Sequence, residues 1–284
     1  MPERKTERLS LEKITPSQLY LSRERLKDLK EKELEPLPVK QIGDELFFTD
    51  GHHRAFTLFD IGRENIEVYK DEDDLGWLEY LICVDWCENE GIESISDLDD
   101  RIVSEEDFKE LWIERCQDMH EIVDEDMFRY LNIQEEKDRA RKSAICESVI
   151  RSLPDWFGIE QAILDYIEGV KDKYFLSVKI GEIPVGFISI EDHNEYTSEV
   201  YVLGIVGELH GKGIGKRLFE EVDEKLSKEG KKFLTVKTLS DSHPDEHYRR
   251  TRAFYNSMGF YPLENFEDLW GKENPCLLMV KVLE

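Results

Sequence analysis

Three glycines at alternate positions form the most informative stretch of the sequence, His210-Gly211-Lys212-Gly213-Ile214-Gly215. They lie between a predicted strand and a predicted amphipathic helix. The main-chain N–H groups of such a turn and helix start can surround a phosphate, and Lys212, Lys216 and Arg217 add positive charge nearby. The dinucleotide-binding pattern fails because Lys216 occupies its third glycine position, and the P-loop pattern fails because no Gly-Lys-Ser/Thr follows at the right spacing. The spacing therefore predicts a phosphate-binding loop of another class.

A second candidate phosphate site lies near the N-terminus, at Asp50-Gly51-His52-His53-Arg54. This turn follows a predicted strand over 45–49 and opens a predicted helix over 52–61. The free N–H groups of a helix start attract anions, Gly51 permits close backbone approach, and Arg54 adds a positive fork. In the alternative interpretation, His52 and His53 only cap and pack the turn. Adjacent helical residues point in different directions, so no metal site is predicted at His52 and His53. No other set of residues is predicted to bind a metal.

The elements that must position the glycine loop follow one another regularly from about residue 130. A short strand at 130–133 precedes the first helix, and Gly181-Glu182 supplies a hairpin turn between two strands. Alternation and helical periodicity predict a mixed α/β (α+β) domain, a sheet flanked by helices. The predicted helices cover 137–152, 158–170 and 248–257, and a fourth opens at the glycine loop and runs to about 229. The other strands cover 174–180, 185–190, 199–206, 233–238 and 275–280.

The loop, its preceding strand and the ending Phe254-Tyr255-Asn256-Ser257-Met258-Gly259-Phe260 resemble the GNAT acyltransferase superfamily, over about residues 130–284. The family loop has the pattern Gln/Arg-x-x-Gly-x-Gly/Ala. His210 replaces its first residue, and Tyr248 stands where the family often has an asparagine that contacts the pantetheine arm of coenzyme A. Thr251 or Arg252 would substitute for that contact.

The resemblance implies an acetyl-CoA-dependent N-acetyltransferase. It places the general acid at Tyr255, whose phenol is mostly protonated at neutral pH, and a carboxylate base at Glu199. The loop would bind the pyrophosphate of acetyl-CoA, and the strand before it would pair with the pantetheine arm. The residues implied in acetyl-CoA binding are Leu203, Gly204, Ile205, Val206, Gly211, Lys212, Gly213, Ile214, Gly215, Lys216 and Thr251.

The N-terminal turn resembles the ParB-like superfamily, which includes sulfiredoxin and free serine kinase relatives, over about residues 9–92. The stretch Ile14–Leu19 and the strand 37–39 share this resemblance. It implies a small α+β domain in which Gly51, His52, His53 and Arg54 contact nucleotide phosphates. His52 stands where sulfiredoxin would have its cysteine, so that chemistry is not expected. No basic helix-turn-helix follows, so DNA binding is not expected either.

Charge divides the chain into three parts. The 284 residues carry 64 Asp and Glu against 38 Lys and Arg, a formal net charge of −26. Residues 71–128 alone hold a net −19, compared with −1 before them and −6 after them. Apolar residues recur at helical spacing within that block, and Ser104 resembles a helix cap. We therefore predict a ParB-like domain at 1–92, an acidic helical connector at 93–128 and an acetyltransferase domain at 129–284.

Composition excludes several classes of function. The acidic balance disfavours nucleic acids and anionic membranes as partners. No run approaches the roughly 18–20 apolar residues of a membrane span, and the N-terminus lacks the apolar core of a signal peptide. Five scattered cysteines form no CxxC pair and fit a reducing cytoplasm. The oligomeric state is not readable.

Three functions follow from these patterns. The first is direct transfer of an acetyl group to a primary amine of a small molecule or a lysine, with an N-terminal accessory domain that binds a nucleotide or phosphate. The second is a nucleotide-binding regulatory module with a non-catalytic GNAT fold, and the third is a bifunctional protein with kinase-like chemistry near Asp50. Residues that could line an acceptor pocket, or could be hairpin-tip and core residues, are Trp156, Phe157, Glu191, Asp192, Glu195, Tyr196 and Trp270.

Overall fold

The computed structural model describes residues 5–29, 34, 36–43, 45–72 and 76–283. The chain divides into two compact units. The first runs to Asn132 and includes the short segment Ile180–Ile183; the second holds Ile133–Lys179 and the chain from Pro184 onward. No helix among the described residues is long and apolar enough to cross a membrane.

The first unit is built on a four-stranded sheet with the order β1-β5-β3-β4, in which β3 and β5 run parallel. A two-residue parallel pair, β2–β6, lies apart from it. The strands are β1 (Thr6–Ser10), β2 (Leu21–Ser22), β3 (Leu37–Ile42), β4 (Glu45–Phe48), β5 (Asn65–Lys70) and β6 (Ile102–Val103). The helices are α1 (Arg23–Leu29), α2 (His52–Asp60), α3 (Trp77–Asn89), α4 (Glu105–Phe108) and α5 (Arg115–Asp126).

Residues 93–128 are largely helical and belong to the first compact unit, and the boundaries predicted at 92 and 128 stay predictions. Ser104 caps α4, since its hydroxyl accepts the main-chain N–H of Asp107 at 3.1 Å. A π-helical segment over Lys109–Glu114 joins α4 to α5. Several of the apolar residues at helical spacing are buried, Phe108, Trp112 and Met119 among them, whereas Leu111 is exposed.

The second unit is a seven-stranded mixed sheet with the order β12-β13-β11-β10-β9-β8-β7, flanked by helices. The fold class predicted for this part is confirmed. The strands are β7 (Asn132–Glu135), β8 (Tyr174–Ile180), β9 (Ile183–Asp192), β10 (Thr197–Ile205), β11 (Phe233–Leu239), β12 (Tyr261–Phe266) and β13 (Cys276–Val282). The helices are α6 (Arg139–Arg151), α7 (Glu160–Gly169), α8 (Ile214–Lys228) and α9 (Glu246–Ser257).

Local chemistry explains where this structure differs from the sequence prediction. The first strand begins at Asn132 rather than 130, because Met127–Tyr130 form a 3₁₀ turn capped by Asp126. Helix α9 starts two residues early because the Asp245 carboxylate accepts the main-chain N–H of Tyr248 at 2.9 Å. Strand β12 was not predicted, since its residues are mostly exposed and lack an apolar alternation.

Candidate active site

The glycine loop forms a sharp entry into α8. Gly211 and Gly213 have φ angles of +76° and +85°, in the left-handed region that side chains rarely adopt, and Gly213 is the N-cap residue immediately before α8. A Cβ on Gly211 would meet only open space, so its backbone faces an open surface. Gly215 has the opposite surroundings, because a Cβ there would come within 2.8 Å of the Phe254 ring. The loop thus has free N–H groups at its open side, where α8 starts, and allows α8 and α9 to pack closely at Gly215.

Beside this loop, β10 separates from β11. The two strands pair in parallel from Thr197 to Val200, and among the described residues no pairing continues beyond Val200 and Val236. A bulge in β10 lies at the same level, between Val200 and Val202. On its other side β10 stays paired with β9 up to Ile205. One edge of Val202–Ile205 therefore faces the opening with main-chain groups that no neighbouring strand uses.

A cavity of about 630 Å³ occupies this opening, and all its lining residues belong to the second unit. It reaches from the α8 start, at Gly211 and Gly213, past the free edge of β10 to α9. The residues predicted to bind acetyl-CoA that line it are Leu203, Gly204, Ile205, Gly211, Gly213, Ile214, Gly215, Lys216 and Thr251. Val206 and Lys212 do not line it: the Val206 N–H donates to the Val185 carbonyl at 3.0 Å.

Tyr255 lies on α9 and lines the same cavity, with 7% of its surface exposed. Its ring packs edge-on against Phe219 and at a tilt against Phe260. Burial raises the pKa of its phenol well above the usual value, and the neighbouring phenols of Tyr248 and Tyr166 raise it further. The group therefore keeps its proton at neutral pH, as a general acid must.

Glu199, the predicted base, lies outside the lining of the cavity. It is 7% exposed, and both its carboxylate oxygens lie 2.7 Å from the Nζ atom of Lys237. His193 Nε2 lies 2.9 Å from one of those oxygens. Lys237, in contrast, does line the cavity. The structure thus brings Tyr255 and the loop together, while Glu199 reaches the site only through its ion pair, and its role stays a prediction.

The two positions that depart from the family pattern are both occupied by internal contacts. The Tyr248 hydroxyl donates to the main-chain carbonyl of Trp156 at 2.9 Å, and burial raises its pKa to about 12. The Thr251 hydroxyl accepts the indole N–H of Trp156 at 3.0 Å. His210 Nε2 lies 2.7 Å from the carbonyl of Ile205, which fixes the ring at the end of β10.

The rest of the described lining consists of aromatic, aliphatic, basic and small polar residues and contains no acid. Trp156, Phe157 and Trp270 take part, as the sequence allowed, whereas Tyr196, Glu191, Asp192 and Glu195 lie elsewhere. Glu191 pairs with Lys173, and Asp192 with Lys231. Sequence analysis missed several lining residues because their partners are distant in the chain: Tyr166, Tyr201, Lys237, Thr238, Arg250 and Met258.

In the first unit, both histidines of the predicted phosphate turn serve as acceptors of main-chain N–H groups. His52 Nε2 accepts from Ser17 at 2.9 Å, and His53 Nε2 accepts from Ser22 at 2.8 Å. Burial lowers the pKa of His52 to about 3 and that of His53 to about 4, so both rings are neutral. These contacts match the alternative interpretation, in which the pair caps and packs the turn.

Gly51 and Arg54 keep the features that suggested an anion site, with one complication. Gly51 is the N-cap residue immediately before α2, with a φ of +82°, and the Arg54 side chain is one-quarter exposed. However, Arg54 pairs with Asp50 at 3.2 Å. The neighbouring cavity of about 290 Å³ is lined by Asp50, Asp71 and Glu79, whose charge disfavours a phosphate. Nucleotide binding here stays a prediction, as does the ParB-like resemblance.

An open mixed sheet, a glycine turn at a helix start and a buried phenol beside a free strand edge together define a site for acyl transfer from a phosphate-bearing donor. Residues 171–262 match the family described as the acetyltransferase (GNAT) domain. The chain therefore carries an acetyltransferase domain, and acetyl-CoA is its acyl donor. None of the curated proteins compared with the chain matches it.

Solved structures of the same class resemble this part of the chain. One is a GNAT-family acetyltransferase from Desulfovibrio desulfuricans, at 14% identity and a TM-score of 0.47, over 54% of this chain and 99% of that one. Another is a GNAT-family acetyltransferase from Elizabethkingia anophelis with acetyl-CoA bound, at 16% identity and a TM-score of 0.42, over 54% and 99%. Identities this low transfer no acceptor to this chain.

The residues present fit the donor. Open space lies where a side chain at Gly211 would stand, as close approach of a pyrophosphate requires. The free edge of Val202–Ile205 offers main-chain partners to an amide-bearing arm. The Thr238 hydroxyl, on β11 in the lining, is buried without a hydrogen-bond partner among the described residues. A donor bound in this cleft could hydrogen-bond to the main-chain groups of β10 and to the Thr238 hydroxyl.

Proposed function

We propose that the second unit transfers an acetyl group directly from acetyl-CoA to a primary amine of a small molecule or a lysine. One observation carries this proposal: a single cavity joins the glycine turn, the free edge of β10 and the buried phenol of Tyr255. A donor held by the first two features would present its thioester sulfur toward the third. No cysteine lines the described part of the cavity, so a covalent intermediate on the enzyme is not part of the proposal.

Each part of the cavity has a role in this proposal. The N–H groups of Gly211, Gly213, Gly215 and Lys216 would hold the pyrophosphate, and Leu203–Ile205 would pair with the pantetheine arm. Acetyl-CoA supplies an acyl group activated as a thioester. A main-chain N–H within Leu203–Ile205 would stabilise the negative charge that develops on the carbonyl oxygen as the neutral amine attacks. Tyr255 would donate its proton to the departing sulfur.

The amine must lose a proton as it attacks the thioester, and Glu199 is the group proposed to accept it. Glu199 would accept the amine proton through water, with its carboxylate held by Lys237 at the wall of the cavity. Holding an amine beside the thioester in itself accelerates the reaction, because it removes the entropy cost of encounter. A strong base is unnecessary for an acceptor that enters the site already neutral.

Calorimetry with acetyl-CoA, followed by an amine screen that detects the released thiol, tests the proposal. We expect one molecule of acetyl-CoA to bind each chain, and thiol release to require both donor and amine. A Gly211→Val variant should bind acetyl-CoA more weakly than the wild type, because it places a bulky branched side chain where the pyrophosphate would lie. Absence of binding to the wild-type protein at high micromolar acetyl-CoA would contradict the proposal.

A phosphate or nucleotide site in the first unit is a separate proposal. The left-handed Gly51 at the start of α2 and the partly exposed Arg54 support it. The two histidines would then act only by shaping the turn. Unchanged affinity for ATP, ADP or CTP in an Arg54→Ala variant would argue against a site at this turn.

A further inference from the structure

The loop between α6 and α7, residues 152–159, lies at the acetyl-CoA cleft, and we call it the lid loop. It is folded on itself, because the N–H groups of Trp156 and Phe157 both donate to the carbonyl of Leu153 at 3.0 Å. Pro154 within the loop prevents α6 from continuing. Leu153, Trp156 and Phe157 of this compact turn line the cavity.

Trp156 is attached firmly to α9. Its indole N–H donates to the Thr251 hydroxyl at 3.0 Å, and its carbonyl accepts the Tyr248 hydroxyl at 2.9 Å. The His247 ring meets the indole edge-on at 4.9 Å between centroids. Two hydrogen bonds and a ring contact therefore join the lid loop to one side of the cleft, the side built by α9 and β11.

The same indole also reaches the other side of the cleft. The His210 ring lies edge-on to it, 5.3 Å away between centroids. His210 is itself fixed to the end of β10 through the Ile205 carbonyl at 2.7 Å. Trp156 thus contacts both α9 and His210, the residue that opens the glycine turn and is hydrogen-bonded to the end of β10. Its contact with His210 is a single ring edge, which is weaker than its attachment to α9.

We propose that Trp156 is the roof of the donor cleft: it separates from His210 to admit acetyl-CoA and then closes over the pantetheine arm while staying bound to α9. This inference rests on the proposed function, because it concerns the same donor. A donor arm beneath the indole is shielded from water and held against β10, so its escape requires the lid loop to open. Trp156 consequently controls how long the donor stays bound.

Surface plasmon resonance with the immobilised full-length chain measures association and dissociation of acetyl-CoA. We expect Trp156→Ala to raise the dissociation rate at least tenfold, with the association rate unchanged or up to threefold faster. Trp156→Phe keeps an aromatic ring but loses the indole N–H, so its dissociation rate should rise about threefold to fivefold. Thr251→Val removes the acceptor of the same hydrogen bond and should match Trp156→Phe, and combining the two changes should add nothing.

Thr235→Val is the control. Thr235 lies on β11 outside the cavity lining, and its hydroxyl donates to the Ser198 carbonyl. Its dissociation rate should equal that of the wild type. The proposed role of Trp156 would be refuted if all three Trp156 and Thr251 variants are folded, as judged by their melting temperatures, and release acetyl-CoA at rates within twofold of the wild type. If the wild-type chain binds no acetyl-CoA, both the proposed function and the role of Trp156 are refuted. If the wild type binds acetyl-CoA and the variants release it at the wild-type rate, only the role of Trp156 is refuted.

Discussion

Replacing Tyr255 with phenylalanine removes one hydroxyl from the cavity and leaves the ring in place. The ring packs against Phe219, Phe254 and Phe260, so the substitution preserves the aromatic cluster at the α8–α9 contact. Any loss of activity should therefore come from the missing proton donor rather than from repacking. The melting temperature of Tyr255→Phe should stay close to that of the wild type.

The size of the effect follows from the role. General acid catalysis contributes about 10²–10⁴-fold, so kcat should fall at least about 100-fold, which corresponds to about 2.7 kcal/mol of transition-state stabilisation. Burial raises the pKa of Tyr255 above the ordinary value of about 10. The phenol is the protonated acid on both sides of neutrality, since its pKa lies above the whole working range. The ratio of wild-type to variant kcat should therefore be constant from pH 6 to pH 9.

Thiol release with a saturating amine acceptor gives this ratio at each pH. Acetyl-CoA affinity is measured in parallel and should change little, because the hydroxyl acts on the departing sulfur. Tyr261→Phe is the matched control, since Tyr261 is 70% exposed on β12 and lies outside the cavity lining. Full turnover by Tyr255→Phe, or a ratio that collapses above pH 7, would refute the reasoning.

Three further predictions test other parts of the structure. Gly215→Ala should lower the melting temperature and weaken acetyl-CoA binding, because the new Cβ would lie 2.8 Å from Phe254; unchanged values in thermal unfolding and calorimetry would contradict this. The buried, neutral His52 has a pKa below its unfolded value, so its contribution to stability is complete above about pH 6.5 and declines as the pH falls toward 3. Urea unfolding should show this as a loss of about 1.4 kcal/mol between pH 7.5 and 5.5 that His52→Gln lacks, and equal pH dependence in both proteins would refute it. Glu199→Gln should lower the free energy of unfolding by leaving Lys237 without its anion, and the predicted role as base should show as a fall in kcat of about 100-fold with saturating donor and amine, whereas an unchanged kcat would exclude that role.

The sequence predicted the elements around the glycine turn well, because their patterns are local. Strands β8 and β10 and helices α6 and α7 begin and end within about two residues of the predicted bounds. The glycines were informative because Gly211 and Gly213 adopt left-handed conformations that residues with side chains rarely adopt. These features depend on neighbouring residues alone.

The parts that could not be predicted depend on partners far away in the chain. Glu199 looked available on its strand, but Lys237 comes from β11 and binds both its oxygens. His52 and His53 looked ready for an anion, but Ser17 and Ser22, more than thirty residues earlier, occupy their ring nitrogens. Trp156 was predicted only as a residue that could line an acceptor pocket or belong to the core, and its contact with Thr251 spans ninety-five positions.

The separation of β10 from β11 also bears on how the protein avoids aggregation. A strand edge with unused main-chain groups normally invites pairing with another chain. Here the free edge of Val202–Ile205 lies inside a sheet, with β11 on one side and the indole of Trp156 nearby. A flat strand from a second protein would have to part these neighbours, whereas a slender amide-bearing chain fits between them. The unpaired main-chain groups of β10 are thus accessible to a narrow ligand but not to a β-strand of another protein.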